Sequence, residues 1–417
     1  MFSPKGVKLI YFILILSFFS ACSVQQSSRY DYRYLYDESQ KLIKPSFKIF
    51  HHSEDSSTLF FEINSNDILY GKLGRDTVLS ARILGKYILY DEEGEKIIDS
   101  ATVSFFNSNE HNESYSLQSF FKIAVPQGKA MPLEVRFRDE YRDLNVVNYL
   151  WIDKRKNGNP QFYLLKDQEK VLFNDRIEQE DSVQLYKSPL LPEGPYLLKY
   201  SSTSFEMTSP PFSSNSLVET HIDIDSSQEV YFIKDSLQLT NFSTHNGIQP
   251  LNGDFETYYI HHYYRGFPEL TQHEQMLEPL RYISTNQEYN ALIEAIDKKE
   301  AVDAFWLKVG GSETSAKKML KEFYQRVITA NRFFSDYKEG WKTDRGIIYI
   351  VYGKPNTVYK TLNMERWVYG DESSLLSISF EFYNRKHEFG ENYFQMIRSE
   401  EYKNNWYRMV DNWRQSR

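Results

Sequence analysis

Thr343, Asp344 and Arg345 stand side by side near the C-terminal end of this chain, and Glu365 and Arg366 follow downstream. Gathered beside a sheet, these groups would form a polar site. Asp344 would act there as a general base or a glycan contact, and Arg345 would hold a carboxylate or phosphate with its planar fork. The same residue types have a commoner use, because Thr and Asp side chains cap backbone amides in turns. The flanking residues favour that second use. Gly340 frees the backbone to leave a preceding helix, and Trp341 buries a large area. Gly346 opens a run through Tyr352 that is apolar or aromatic on both faces, which predicts a central strand. Gly353, Lys354 and Pro355 then close it as a turn. On this reading every position has a folding role, and no catalytic residue is assigned.

Other chemistries find less support. His51-His52 and His261-His262 are adjacent pairs in predicted strands, where neighbours point to opposite faces, so neither pair grips one metal. His261, His273 and Glu274 lack metal-site spacing. The acidic stretches at 91–95 and 138–143 match no calcium loop and read as a hairpin turn and a strand end. No nucleophile-elbow, zinc-protease, phosphate-loop or dinucleotide fingerprint occurs, so no metal or cofactor is expected. A Ser-His-Asp triad stays open, since its members need not be close in sequence. The net charge of −8, with no basic stripe, argues against nucleic acid. Cys22 is the single cysteine, which rules out an internal disulfide and a Cys/His zinc site of the usual kind.

Cys22 has a chemistry of its own. Lys5 and Lys8 precede an apolar stretch at 9–19, and Ser20 and Ala21 lead into the cysteine. This pattern resembles the lipobox of bacterial lipoproteins. The resemblance implies a signal peptide over 1–21, cleavage before Cys22 and lipid on its sulfur. Each buried methylene contributes about 0.8 kcal/mol, so two or three chains anchor stably. Ser23 in place of Asp implies the outer membrane, and the absence of an acidic run after Cys22 leaves the periplasmic face. Loss of Lys5 and Lys8 takes the net charge to −10. Residues 22–45 read as a tether. Its stretch 30–36 (YDYRYLY) is too aromatic for a plain linker and is expected to dock on a partner or on the chain's own domain.

The elements expected to carry these residues fall into three groups. Period-two patterns at 46–50, 59–64, 81–90, 101–106, 115–125, 132–137 and 146–152 predict seven strands, hence an immunoglobulin-like sandwich over 46–153. Strands at 161–166, 183–186, 196–200, 229–233 and 237–239 predict a second β domain over 154–250. After residue 251 helical patterns enter: a capping box at 285–288, then helices to 298, over 302–308 and over 315–334. Strands at 346–352, 365–369, 375–384 and 393–398 follow. A terminal helix then places Tyr402, Trp406, Met409 and Trp413 on one side. Residues 251–417 therefore read as an α+β domain. The fold class is multidomain, with two all-β sandwich domains before an α+β domain.

Residues 340–355 (GWKTDRGIIYIVYGKP) resemble the signature of the GWxTD domain family. Asp303-Ala304-Phe305-Trp306, Glu322-Phe323 and Ala330-Asn331-Arg332-Phe333 extend the match upstream, and Glu365-Arg366-Trp367-Val368-Tyr369 extends it downstream. The likeness covers about the last third of the chain. It singles out Gly340, Trp341, Thr343, Asp344, Arg345, Gly346, Gly353, Pro355 and Trp367. It implies an exported protein of Gram-negative bacteria, with β domains in front and no stated activity. The expectation is a non-enzymatic, membrane-tethered scaffold. Its partners would be other envelope proteins, in an outer-membrane assembly for secretion, transport or motility. The alternative is an envelope hydrolase or glycan-binding protein with a site at the motif.

Overall fold

The computed structural model describes residues 31–36, 42–72, 79–108, 115–155, 159–178, 182–202, 205–213, 222–240, 247–252, 257–361, 363–374, 376–385, 387, 389–390 and 392–415. Cys22 and the apolar stretch 9–19 lie outside them. Among the described residues no helix is long and apolar enough to cross a membrane.

Two sheets enclose the first core. One has the order β1-β2-β5, with β1 at Ser46–His51, β2 at Ser56–Asn64 and β5 at Ser116–Ala124. The other has the order β4-β3-β6-β7, with β3 at Ser80–Tyr90, β4 at Ile97–Ser108, β6 at Ala130–Asp139 and β7 at Leu144–Asp153. Alternation does the work: in β3, Ala81, Ile83, Tyr87 and Leu89 point inward to meet Phe61, Val135 and Phe137. The two acidic stretches sit in turns of this unit. Asp91 accepts hydrogen bonds from the amides of Glu95 and Lys96, and Asp139 from those of Tyr141 and Arg142.

The second β unit is less regular. One sheet runs β14-β11-β8-β9, with β8 at Tyr163–Asp167, β9 at Lys170–Val171, β11 at Ser182–Lys187 and β14 at Ser236–Thr240. The other runs β10-β16-β15-β12-β13, with β10 at Arg176–Glu178, β12 at Tyr196–Tyr200, β13 at Ser226–Val230, β15 at Gly247–Asn252 and β16 at Tyr258–Tyr263. β16 pairs antiparallel with β15 and parallel with β10, so this sheet runs past residue 250. Across the core Tyr163 stacks on Tyr258 at 4.4 Å.

The two β units are riveted rather than loosely linked. Ser188 donates its hydroxyl to the His51 carbonyl at 2.6 Å, and the His51 ring meets the edge of Phe162. Lys154 seats its ammonium among the carbonyl oxygens of Ser53, Ser56 and Val125.

Three histidines are buried here. Among the described residues no group of three metal-binding side chains forms. Burial, reinforced by Lys154, pushes the His51 pKa down to about 3. Burial pushes His261 to about 3 and His262 to about 4. Unfolding lets each protonate near the ordinary 6.5, so the unfolded chain binds more protons between those limits. Stability is therefore complete above about pH 6.5 and falls with acidification, by up to about 1.4 kcal/mol per pH unit for each histidine. The melting temperature should drop steeply from about pH 6.5 to 4.5. A melting temperature flat over that range would show that these rings are not held neutral.

The third core joins helices to an antiparallel sheet. The helices are His273–Leu277, Asn286–Glu294, Lys298–Gly310, a long one at Glu313–Phe334, Asp344–Tyr352 and a terminal one at Tyr402–Arg414. The sheet runs β17-β18-β19-β20, with strands at Thr357–Lys360, Met364–Tyr369, Ile378–Asn384 and Phe394–Met396. Thr285 and Glu288 form the expected capping box. Glu288 also takes both guanidinium nitrogens of Arg414 at 2.9 and 3.0 Å, which fixes the terminal helix. Phe323, Val327, Ala330 and Phe334 make the buried stripe of the long helix. Trp406 and Trp413 of the terminal helix pack into the same core.

One element differs from its sequence pattern. The run 346–352 is not a strand but the body of the helix Asp344–Tyr352. Every residue of that helix is buried, so neither a two-residue nor a 3.6-residue period shows, and a short apolar run cannot reveal its type.

Candidate functional site

The motif begins with a close approach of backbones. After the long helix ends, Gly340–Lys342 forms a tight turn laid against it. A Cβ on Gly340 would lie 1.9 Å from the Ala330 carbonyl oxygen. A Cβ on Gly346 would lie 1.9 Å from the Gly340 carbonyl oxygen. The two glycines thus let three backbones stack: long helix, turn and motif helix. Trp341 is buried in the junction, and its amide donates to the Asn331 side chain. Thr343 is the N-cap, its hydroxyl accepting from the Gly346 amide at 3.1 Å and donating to the Gly340 carbonyl at 2.7 Å. Gly353 ends the helix with a φ of 81°, and Tyr369 bonds its carbonyl at 2.8 Å. Pro355, also buried, follows it.

The charged residues form two separate clusters. Asp344 accepts from the Met396 amide at 2.7 Å and from both guanidinium nitrogens of Arg398, at 2.7 and 3.1 Å. The Thr208 hydroxyl donates to it as well. Thr208 and the Ser209 carbonyl, also bonded to Arg398, come from a loop of the second β unit. Asp344 therefore binds a strand, an arginine and a neighbouring unit at once. Its carboxylate has four donors and no free lone pair for taking up a substrate proton.

Arg345 turns the other way. It pairs with Glu365 at 3.3 Å, bonds the Asn392 carbonyl and amide oxygens at 3.0 and 2.5 Å, and lies 3.9 Å from the Phe394 ring centroid. Glu365 is fully buried and also accepts from Tyr36 at 2.7 Å and from the Trp367 indole at 3.1 Å. Lys360 approaches it to 3.3 Å. Burial alone would push the Glu365 carboxyl up, but Lys360, Arg345 and the Tyr36 and Trp367 bonds more than offset it and hold it at about 2. It is a permanent buried anion rather than a proton-transfer group.

The structure joins Arg345 with Glu365 and keeps Asp344 apart from them with Arg398. Arg366 joins neither cluster. It alternates to the other face of its strand and pairs with Glu372 at 3.6 Å. The single site of Thr343, Asp344, Arg345, Glu365 and Arg366 does not form. Thr208, Asn392 and Arg398 were not legible as members, because each comes from a distant segment whose local pattern does not point to the motif. Tyr36 alone had a signal, the aromatic stretch 30–36. Tyr32 and Tyr36 are buried in the third core, and the Tyr36 ring lies 5.1 to 5.8 Å from Phe334, Trp367 and Phe333. Part of the expected tether is thus a piece of the fold.

Residues 249–415 match the family model described as GWxTD domain. This region is a GWxTD domain. The match starts within β15, so the GWxTD region takes in β16 and completes the second sheet. No curated protein matches the chain. Among solved structures, a calcium-binding mutant of Bacteroides uniformis beta-glucuronidase 2 is similar at 10% identity over 33% of this chain and 16% of that chain, with a TM-score of 0.18. Red sea bream transglutaminase is similar at 8% identity over 52% and 31%, with the same TM-score of 0.18. The chain spans less than a third of either protein, and likeness this slight informs neither its fold nor its function.

Proposed function

We propose that this protein is an envelope lipoprotein, held by lipid on Cys22 at the periplasmic face of the outer membrane. It works there by contact, as a non-enzymatic scaffold component of an assembly for secretion, transport or motility. One observation carries the choice of contact over catalysis: both charged residues of the motif, Asp344 and Arg345, are buried and consumed by partners within the chain. The riveted β units support the same reading, since a spacer must hold its ends at a set distance. The rival is an envelope hydrolase or glycan-binding protein acting at the motif turn.

Gentle detergent extraction of tagged protein from its own cells tests this, with co-purifying proteins identified and each confirmed by reciprocal capture. The scaffold reading expects stoichiometric envelope partners that are lost in a Cys22→Ser variant. A lone monomer that turns over a cell-wall substrate would overturn it.

A further inference from the structure

The path of the chain between Cys22 and the first β unit has a consequence for orientation. The first described residues make their hydrogen bonds away from the β unit that follows them in sequence, and Tyr34 packs against both that unit's core and the core of the GWxTD domain. They lie on the GWxTD domain. The Tyr32 amide donates to the Val358 carbonyl at 2.7 Å, and the Val358 amide donates to the Asp31 carboxylate at 3.0 Å. Arg33 donates to the Asn356 carbonyl at 3.1 Å. Residues 31–33 thus cover β17, the edge strand of the sheet. Tyr36 then enters the core, and Tyr349 donates to its carbonyl at 3.1 Å. Ile43 is then buried in the first β core, against which Tyr34 already packs.

We infer that the GWxTD domain, last in sequence, is the membrane-proximal part of the molecule, clipped by residues 31–36 so that its β17 edge faces the lipid surface. The inference rests on the lipidation of Cys22 proposed above. Nine residue steps lead from Cys22 to Asp31, and a fully extended chain covers at most about 3.3–3.6 Å per residue, so the β17 edge lies within about 30 Å of the anchor. Without the clip the first fixed point would be Ile43, and the reach would be about 70–75 Å. The clip therefore cuts the reach by more than half and sets which domain faces the bilayer. The far ends of the β units then project away, toward partners.

Cys22 carries the lipid, so a cysteine introduced elsewhere is the one thiol open to a dye. The full-length lipidated protein, labelled at Lys354→Cys beside β17 or at Gln228→Cys on β13, is placed on vesicles containing an acceptor-labelled lipid. β13 is an edge of its sheet, separated by β12 and β15 from β16, whose Tyr263 bonds the Asp336 carbonyl. Energy transfer should be several-fold greater from position 354 than from 228. The paired change Tyr32→Ala and Tyr36→Ala should bring the 354 signal down toward the 228 signal. Equal transfer from both sites on vesicle-bound wild-type protein overturns the inference, and that comparison needs no clip variant to fold. Flotation separates the two claims: wild-type protein that does not float with vesicles overturns the anchor reading itself, and the inference with it.

Discussion

Gly346→Ala should destabilise the GWxTD domain by at least about 3 kcal/mol, the upper range for forcing an extra methyl into a packed interior. The sign is what makes the test sharp. In an ordinary helix interior, replacing glycine by alanine stabilises by roughly 0.5–1 kcal/mol. Here the new methyl would sit 1.9 Å from a backbone oxygen of Gly340, which is itself pressed on the Ala330 carbonyl. No side chain can swing aside to relieve the contact. Every tryptophan but Trp151 lies in the GWxTD region, so a fluorescence-detected melt reports that region. A variant that melts at or above the wild-type temperature would show that the stacked backbones are not what the motif glycines are for.

Arg345→Met should be nearly as severe, at about 3–5 kcal/mol, the usual loss when one partner of a buried ion pair is removed. The damage comes from the Glu365 charge left behind with Lys360 alone opposite it. Glu365→Leu should also destabilise, by stranding Arg345. The double variant, with both charges gone, should lose at least about 2 kcal/mol less than the sum of the single losses, because neither charge is then unpaired. The acid limb gives a second reading. Held at about 2 in the fold against roughly 4.5 when unfolded, Glu365 stabilises fully above the unfolded value and ceases to do so as pH falls through the folded one. Without Arg345 the folded value rises, so the contribution is lost at a higher pH. Additive single losses would mean that the pair is not coupled.

Sequence pattern served best where one face is wet. Strands such as β3, β4 and β5 alternate over most of their length because each has a more exposed side, and all seven strands of the first β unit appear in the structure. It served worst where local pattern vanishes. The strand Arg176–Glu178 has three residues and pairs in parallel with β16, far along the chain. The helix Asp344–Tyr352 is buried on all sides and mimics a central strand. Yet Thr343 was readable as a cap and is the N-cap, while Gly353, read as closing a strand in a turn, ends the helix. Gly340 was read as freedom of the backbone and Gly346 as the start of a strand. Gly340 and Gly346 instead serve absence of volume, which is a property of neighbours and not of a pattern. Asp344 and Arg398 are 54 residues apart, and nothing in either segment names the other.

The central claim is that the motif's charged residues build the domain that makes contacts, and perform no reaction. The most direct measurement recovers the Arg345→Met, Glu365→Leu protein from its own membranes and compares its co-purifying envelope proteins with those of the wild type. A folded double variant that keeps the same partners in the same proportions is the expected result. A double variant that melts as a folded protein but has lost the cellular role, while its partners remain bound, would contradict the claim and return the motif to chemistry.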